Sequence, residues 1–149
     1  NALIAGKRCL LRSSVVDAVS GKAKLKLERH CLVEGKAFVF PFDVSDDNVD
    51  VFIIMLHEKD STTLNGVFIF PKEYLAERGI LSVDRVGGKF STMLYPPGCM
   101  ESSQKEKKEL ASSQQSYFIS FAKDSDCALV TGSRATEAKT EIADYVEKE

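Results

Sequence analysis

A chain of 149 residues with net charge −2, 44% hydrophobic and 28% charged residues has the make-up of one globular domain. At that length it can bury roughly two thirds of the surface its unfolded form exposes. The longest apolar run, Val51 to Leu56, has strand length and falls far short of the ~20 residues that a membrane-spanning helix needs.

Four cysteines, Cys9, Cys31, Cys99 and Cys127, are scattered without a C-x-x-C pair or a histidine at ligand spacing. That argues against a zinc site and a dense disulfide framework, and for reduced, mostly buried thiols in an intracellular protein, nuclear or cytoplasmic. Asn1 stands where a start methionine would be, and no basic-then-apolar leader follows. A fragment of a longer protein is therefore expected. Charge is unevenly spread: residues 1–36 hold eight Lys or Arg against three Asp or Glu, a net +5 that leaves −7 for the rest. Such a quarter suits either a phosphate-binding face or a sheet border protected by lysines.

In chain order, Gly6-Lys7-Arg8 reads as a tight turn feeding a strand from Cys9 to Ser13. Ala23 to His30 alternates, with Leu25 and Leu27 on one side and Lys24, Lys26 and Glu28 on the other, the period of a half-buried strand. Ala37 to Val44 is aromatic and β-branched, and Pro41 marks it as an edge or a strand end. Val51 to Leu56 is apolar on both faces and reads as a central strand. Val67 to Phe70 is another strand. Pro71 then opens a short helix over 72–78, and Gly79 closes it.

A shorter strand is expected over 89–95. Ser103 and Glu106 then have capping-box spacing for a helix over about 103–122, with Leu110, Tyr117, Phe118 and Phe121 on one face. A last helix over about 135–148 offers Ala138, Ile142 and Tyr145. The fold class that follows is α/β or α+β: a single domain over 1–149 with a central mixed sheet flanked by helices.

Asp43, Asp46, Asp47 and Asp50 invite a calcium-loop reading. The sixth and twelfth positions counted from Asp43 hold Asn48 and Ile54 instead of glycine and glutamate, so a solvated turn is expected. His30 and Cys31 are neighbours on a strand and point to opposite faces, so they form no thiol–imidazole pair. His57 ends the central strand alone. No G-x-S-x-G elbow and no phosphate-cradling glycine loop is present.

The run Gly6-Lys7-Arg8-Cys9-Leu10-Leu11-Arg12-Ser13-Ser14 resembles the strand of restriction-endonuclease-like, PD-(D/E)XK, domains that carries a Glu- or Gln-x-Lys motif before small hydroxyl residues. Val49 to Ile54 is similar to that family's central strand, and Gly66 to Leu75 to its strand-Pro-helix segment. Such domains occur in homing endonucleases, mobile elements and crinkler-type effectors. The resemblance covers roughly residues 1–97 and implies a restriction-endonuclease-like fold.

It also implies a metal-dependent nuclease site, whose chemistry needs two carboxylates and a lysine. Position by position the motif falls on Asn1, Leu10 and Arg12, none of which is a carboxylate or a lysine, so a degenerate site without cleavage is implied. A second register uses Asp17 and Lys26, with Lys24 replacing the glutamate and Glu28 nearby; an active form would be a magnesium-dependent endonuclease. The leading expectation is a nucleic-acid-binding domain, for DNA or RNA, that uses Lys7, Arg8, Arg12, Lys24 and Lys26. No cofactor is expected, except magnesium if the site is active, and no membrane. The rival is a protein-interaction module on the same scaffold.

Overall fold

The computed structural model describes residues 1–61, 63–100 and 103–121; the expected helix over 135–148 and Cys127 lie outside them. The chain opens with a hairpin. Strand β1 (Ala2–Ile4) turns through Ala5 and Gly6, both at positive φ, into β2 (Lys7–Val16). Next come β3 (Ala23–Lys26), β4 (Glu28–Val33), β5 (Lys36–Pro41), β6 (Val51–Glu58) and β7 (Leu64–Pro71). Helix α1 (Lys72–Glu77) is followed by β8 (Ser82–Val83), β9 (Val86–Gly87), β10 (Ser91–Leu94), helix α2 (Lys105–Gln115) and β11 (Phe118–Ser120).

The architecture is α+β, dominated by one mixed sheet of order β10-β3-β2-β6-β7-β11, with β1 added on β2. Strand β6 is internal, as its two-sided apolar character requires. It runs parallel to β2, from Cys9 beside Val51 to Val16 beside Glu58, and antiparallel to β7. Phe52, Ile54 and Leu56 are fully buried on one face with Leu10, Leu25, Phe68, Phe70 and Leu94. On the other face Ile53 and Met55 join Val67, Ile69 and Ile119 in a smaller cluster.

Helix α1 begins after Pro71, whose missing N–H is no loss in a first turn. It sets Tyr74 against Phe70 with ring centroids 5.3 Å apart, and Tyr74 also meets Tyr117 at 4.5 Å. Its hydroxyl pairs with Ser113 Oγ of α2 at 2.7 Å.

Three local expectations change. The alternating run 23–30 is not one strand. It breaks at the buried Leu27, whose amide donates to the Phe90 carbonyl, and β4 then leaves the main sheet to pair with β5 alone. Period two says that a segment is extended and is silent about which neighbour it pairs with. The second change concerns the helix expected to reach 122, which stops at Gln115. Phe118 and Ile119 fall on opposite faces of the sheet as β11, paired to β7, and each buries an apolar side chain there. The capping box does not form either: Gln104 is the N-cap and no side-chain cap bond is made.

Gln114 is a buried polar residue that the helical pattern concealed. Its Nε2 donates to the Met93 carbonyl and its Oε1 accepts from the Tyr95 amide, each at 2.9 Å. The side chain thus acts as a piece of strand on β10 and ties α2 to the sheet.

Strand β11 approaches β7 closely because residue 66 is glycine. A methyl group there would overlap the Phe118 ring and the Ile119 carbonyl oxygen. Gly66→Ala is expected to lower stability by roughly 1–3 kcal/mol in urea unfolding, the usual range for overpacking. The loss should shrink when Phe118→Ala is introduced first, because the overlapping ring is then gone.

Candidate functional site: a cationic fork between β2 and β3

Strands β2 and β3 are paired only where they meet, Val16 beside Ala23. The loop that joins them is closed by Asp17, whose Oδ1 accepts from the Ser20 amide and hydroxyl, both at 2.7 Å. Gly21 sits at φ +69°, where a side chain is strained, and a Cβ there would make a tight contact, 3.0 Å, with the Cys99 Cα. Away from this loop the strands part. β3 follows β10, from Leu94 beside Ala23 to Ser91 beside Lys26, while β2 stays on β6.

At the other end β1 covers Lys7 to Cys9. Between Leu10 and Val15, therefore, β2 has no strand on that side among the described residues. This leaves a fork about 20 Å long at the usual rise per residue.

Side chains take up backbone groups that the absent ladder would have satisfied. Ser14 Oγ donates to the Lys24 carbonyl at 2.9 Å, and Arg12 Nη1 donates to the Leu11 carbonyl at 3.2 Å. The Arg12 guanidinium also lies 5.9 Å from the centre of the Phe42 ring, within reach of a cation–π contact. The open groove holds about 570 Å³ and is lined by Arg12 to Val15, Lys24 to Lys26, Glu28 and His30. Its cations are Arg12, Lys24 and Lys26. Among the described residues Glu28 is the one carboxylate in the lining, and its Oε1 is 3.8 Å from His30 Nε2.

The other basic residues of the first quarter are placed elsewhere. Arg8 grips Asp50 through Nε and Nη2, both at 3.2 Å, while its amide donates to the same carboxylate at 2.8 Å. Those bonds pull the Asp50 carboxyl down to about 2. Arg29 reaches Asp46 and Asp47 at 3.5 and 3.2 Å. Lys22 sits over the Tyr95 ring. Lys7 lies beside Ile4 on the β1 side of β2. Of the five expected contact residues, the structure brings Arg12, Lys24 and Lys26 together and sets Lys7 and Arg8 apart.

The positions of the first nuclease register do not converge; of the second, Lys24, Lys26 and Glu28 share the fork, while Asp17 stands in the loop that joins β2 and β3. Leu10 is buried in the core. Asn1 lines a different depression, with Arg8, Cys9 and Asn48, and Arg12 lines the fork. Asp17 is occupied by its own loop, and hydrogen bonds from Ser20 lower its carboxyl. Among the described residues no three His, Cys, Asp or Glu side chains gather as a metal site would require. His30 and Cys31 do point to opposite faces, and burial pushes the Cys9 and Cys99 thiols up, away from the reactive thiolate.

The aspartate turn after β5 is a structural knot, where a solvated turn had been expected. Asp43 is only 2% exposed. It accepts from the Ser82 hydroxyl and the Arg85 amide at 2.7 Å, and from the amides of Ser45 and Asp46 at 2.9 and 3.0 Å. Arg85 in turn donates to Asp46 at 2.6 Å. Asp84 and Arg85 both sit at positive φ, a costly pair of non-glycine residues, and the Asp43 bond helps to hold them there. Spacing alone does not reveal this network, because its partners lie about 40 residues downstream.

The sequence pattern of the MepB-like family matches residues 34–120, more than half of the chain. The chain belongs to the MepB-like family. A solved structure described as the crystal structure of MepB aligns with it at a TM-score of 0.61 and 21% identity, over 78% of this chain and 72% of that one. At that identity the likeness speaks for the fold alone. Among curated proteins none matches.

Membership of the MepB-like family corrects the resemblance to PD-(D/E)XK domains. The restriction-endonuclease-like assignment falls with it, as do nuclease, degenerate active site, mobile element and the DNA-binding character inferred from that family. The pieces behind the resemblance, a strand with hydroxyl residues, a two-sided apolar strand and a strand-Pro-helix step, are local features of buried strands and helix starts and do not specify a family.

The carboxylates set an acid limit on the domain. Asp43 and Asp50 are both held below the ordinary aspartate value of about 3.9, Asp43 chiefly by the Ser82 hydroxyl and Asp50 by Arg8. Their stabilisation is full above that value and is lost as pH falls through the folded-state value, about 2 for Asp50. Unfolding midpoints should therefore be flat above about pH 5 and drop steeply below pH 4. Asp50→Asn should flatten that acid limb. Asp43→Ala should cost roughly 3 kcal/mol at neutral pH, since it leaves the buried Ser82 hydroxyl and several amides without an acceptor.

Proposed function

We propose that this domain is a binding module and that the fork between β2 and β3 receives the phosphate backbone of a nucleic acid strand. The observation that supports this reading is the gathering of Arg12, Lys24 and Lys26 around one open groove that carries a single carboxylate among the described residues. The other arginines of the first quarter are neutralised by aspartates. The reading rests on these charges and takes nothing from the nuclease resemblance.

Arg12 suits the role because its planar guanidinium can meet a phosphate with two parallel hydrogen bonds. It would exchange the Leu11 carbonyl for the stronger acceptor. Ser13 adds a hydroxyl at the same lip. Lys24 and Lys26 are exposed, and their mobile ammonium groups supply attraction without base readout. No catalytic step and no cofactor is part of this function. The free thiols Cys9, Cys31 and Cys99 suit an intracellular setting, nuclear or cytoplasmic. No helix among the described residues is long and apolar enough to cross a membrane.

A protein-interaction module is the second reading. It is favoured by the β4–β5 hairpin, which exposes large apolar side chains outside the main sheet.

The test is fluorescence anisotropy with single-stranded oligonucleotides across a range of salt. Lys24→Glu with Lys26→Glu should weaken binding about tenfold or more at low salt, irrespective of base sequence. The slope of log K against log salt should become shallower by about two, one per lost phosphate contact. Lys7→Glu, outside the fork, should change either quantity far less. Equal affinity for the parent chain and the double variant would remove the fork from the function and favour the protein-interaction reading.

A further inference from the structure

The β4–β5 hairpin stands apart from the main sheet. Its base is fixed: Arg29 bonds Asp46 and Asp47, and Pro41 lies against Gly88. Among the described residues its body is a bare two-stranded ribbon. Leu32 is 78% exposed, and Val33, Phe38, Val39 and Phe40 are exposed as well. Phe38 and Phe40 lie near parallel with ring centroids 6.2 Å apart. A lone two-stranded ribbon is marginally stable in water, and three or more strands with an apolar face are the usual remedy.

Strand β5 also lacks the usual protection of a sheet edge. Such edges carry charges, prolines or bulges along their length. Here Lys36 and Pro41 stand at the two ends, and Ala37-Phe38-Val39-Phe40 between them carries none of these devices.

The turn tells which backbone groups are open. Glu34 and Gly35 form a two-residue loop with both φ positive, so Val33 and Lys36 flank it as a hydrogen-bonded pair. Alternation then makes Cys31 with Phe38 and Arg29 with Phe40 the next such pairs. Ala37 and Val39 therefore aim their N–H and C=O groups at the edge that no strand among the described residues occupies.

We propose that β5 pairs antiparallel with β5 of a second copy of this chain, across a two-fold axis at Phe38. In that register Ala37 faces the partner subunit's Val39, so that two outward residues on each strand exchange hydrogen bonds. Phe38 faces the partner subunit's Phe38 in the closer, non-hydrogen-bonded position. Lys36, the one charge on β5, meets the partner subunit's Phe40 rather than a like charge. Pro41 falls beyond the last bonded pair, where its missing N–H costs nothing. The strand is thus complementary to itself, as a two-fold contact requires. The product is a four-stranded ribbon with four phenyl rings on one face.

Sedimentation velocity on the 149-residue chain at rising concentration should show a monomer–dimer equilibrium. Phe38→Lys sets two ammonium groups opposite each other and should raise the dimer Kd by about tenfold or more. Val39→Pro should do the same, since it removes an outward N–H and leaves the β4 ladder whole. Circular dichroism of both variants checks that the fold is kept.

Phe38→Cys supplies a measurement independent of those substitutions. Paired Cα atoms in a non-hydrogen-bonded position lie about 4.5 Å apart, within the span of a disulfide. The variant is made in a Cys31→Ser chain, because Cys31 lies opposite residue 38 on β4 and would otherwise take up the new thiol within one hairpin. Mild oxidation should then convert it to covalent dimer, while Leu32→Cys in the same background and the Cys31→Ser chain itself do not convert. A chain that stays monomeric throughout would overturn the proposal and leave the edge to some other extended peptide. A dimer untouched by Phe38→Lys and Val39→Pro, with no Phe38→Cys cross-link, would overturn it too.

Discussion

A parallel ladder of eight residue pairs, Cys9 beside Val51 to Val16 beside Glu58, joins the strand that carries the fork to the internal strand β6. Parallel neighbours need a crossover connection, in most proteins a helix. Here the connection is made of β3, the β4–β5 hairpin and the aspartate turn. The crossover must leave β2, pass its far side and return to the start of β6. That route brings β3 to Val16 for one residue pair and then takes it away along β10. The fork is thus a consequence of how the chain gets back to β6, and the same route leaves β4 and β5 outside the main sheet.

Charge pairing is arranged around that route. At the start of the ladder Arg8 holds Asp50, which fixes the ends of β2 and β6 together. Arg29 at the base of the hairpin and Arg85 in the β8–β9 turn meet on Asp46, and Asp43 beneath them bonds Ser82. Ion pairs this exposed contribute little singly. The buried Asp43 matters more, because its hydrogen bonds fasten the end of β5 to a turn with two strained non-glycine residues. Arg12, Lys24 and Lys26 at the lip of the fork take no part in this pairing.

The residues matched by the MepB-like family, 34–120, contain β5 to β11 and both helices. Arg12, Lys24 and Lys26 all precede that stretch. Family membership thus describes the scaffold, and the case for the fork rests on its own geometry. The edge strand β5 lies inside the matched stretch, and it pairs with β4, whose Glu28 and His30 belong to the lining of the fork.

Much of the scaffold was legible in the sequence for a simple reason: burial on both faces leaves a continuous apolar run, and burial on one face leaves alternation. Val51 to Leu56 had to be internal, Lys24 and Lys26 had to share a side, and Pro71 with Gly79 had to bound a short helix. Partners were not legible, because period two describes a strand and not its neighbour. Only the tertiary structure broke the run 23–30 at Leu27, moved Phe118 from a helix face to a strand, and drew Asp43 under Ser82. It also decided which cations stay free. Arg8 and Arg12 read alike on one strand; Arg8 is held by an aspartate 42 residues away, while Arg12 opens on the fork, because neutralisation depends on distances in space that no spacing along the chain records.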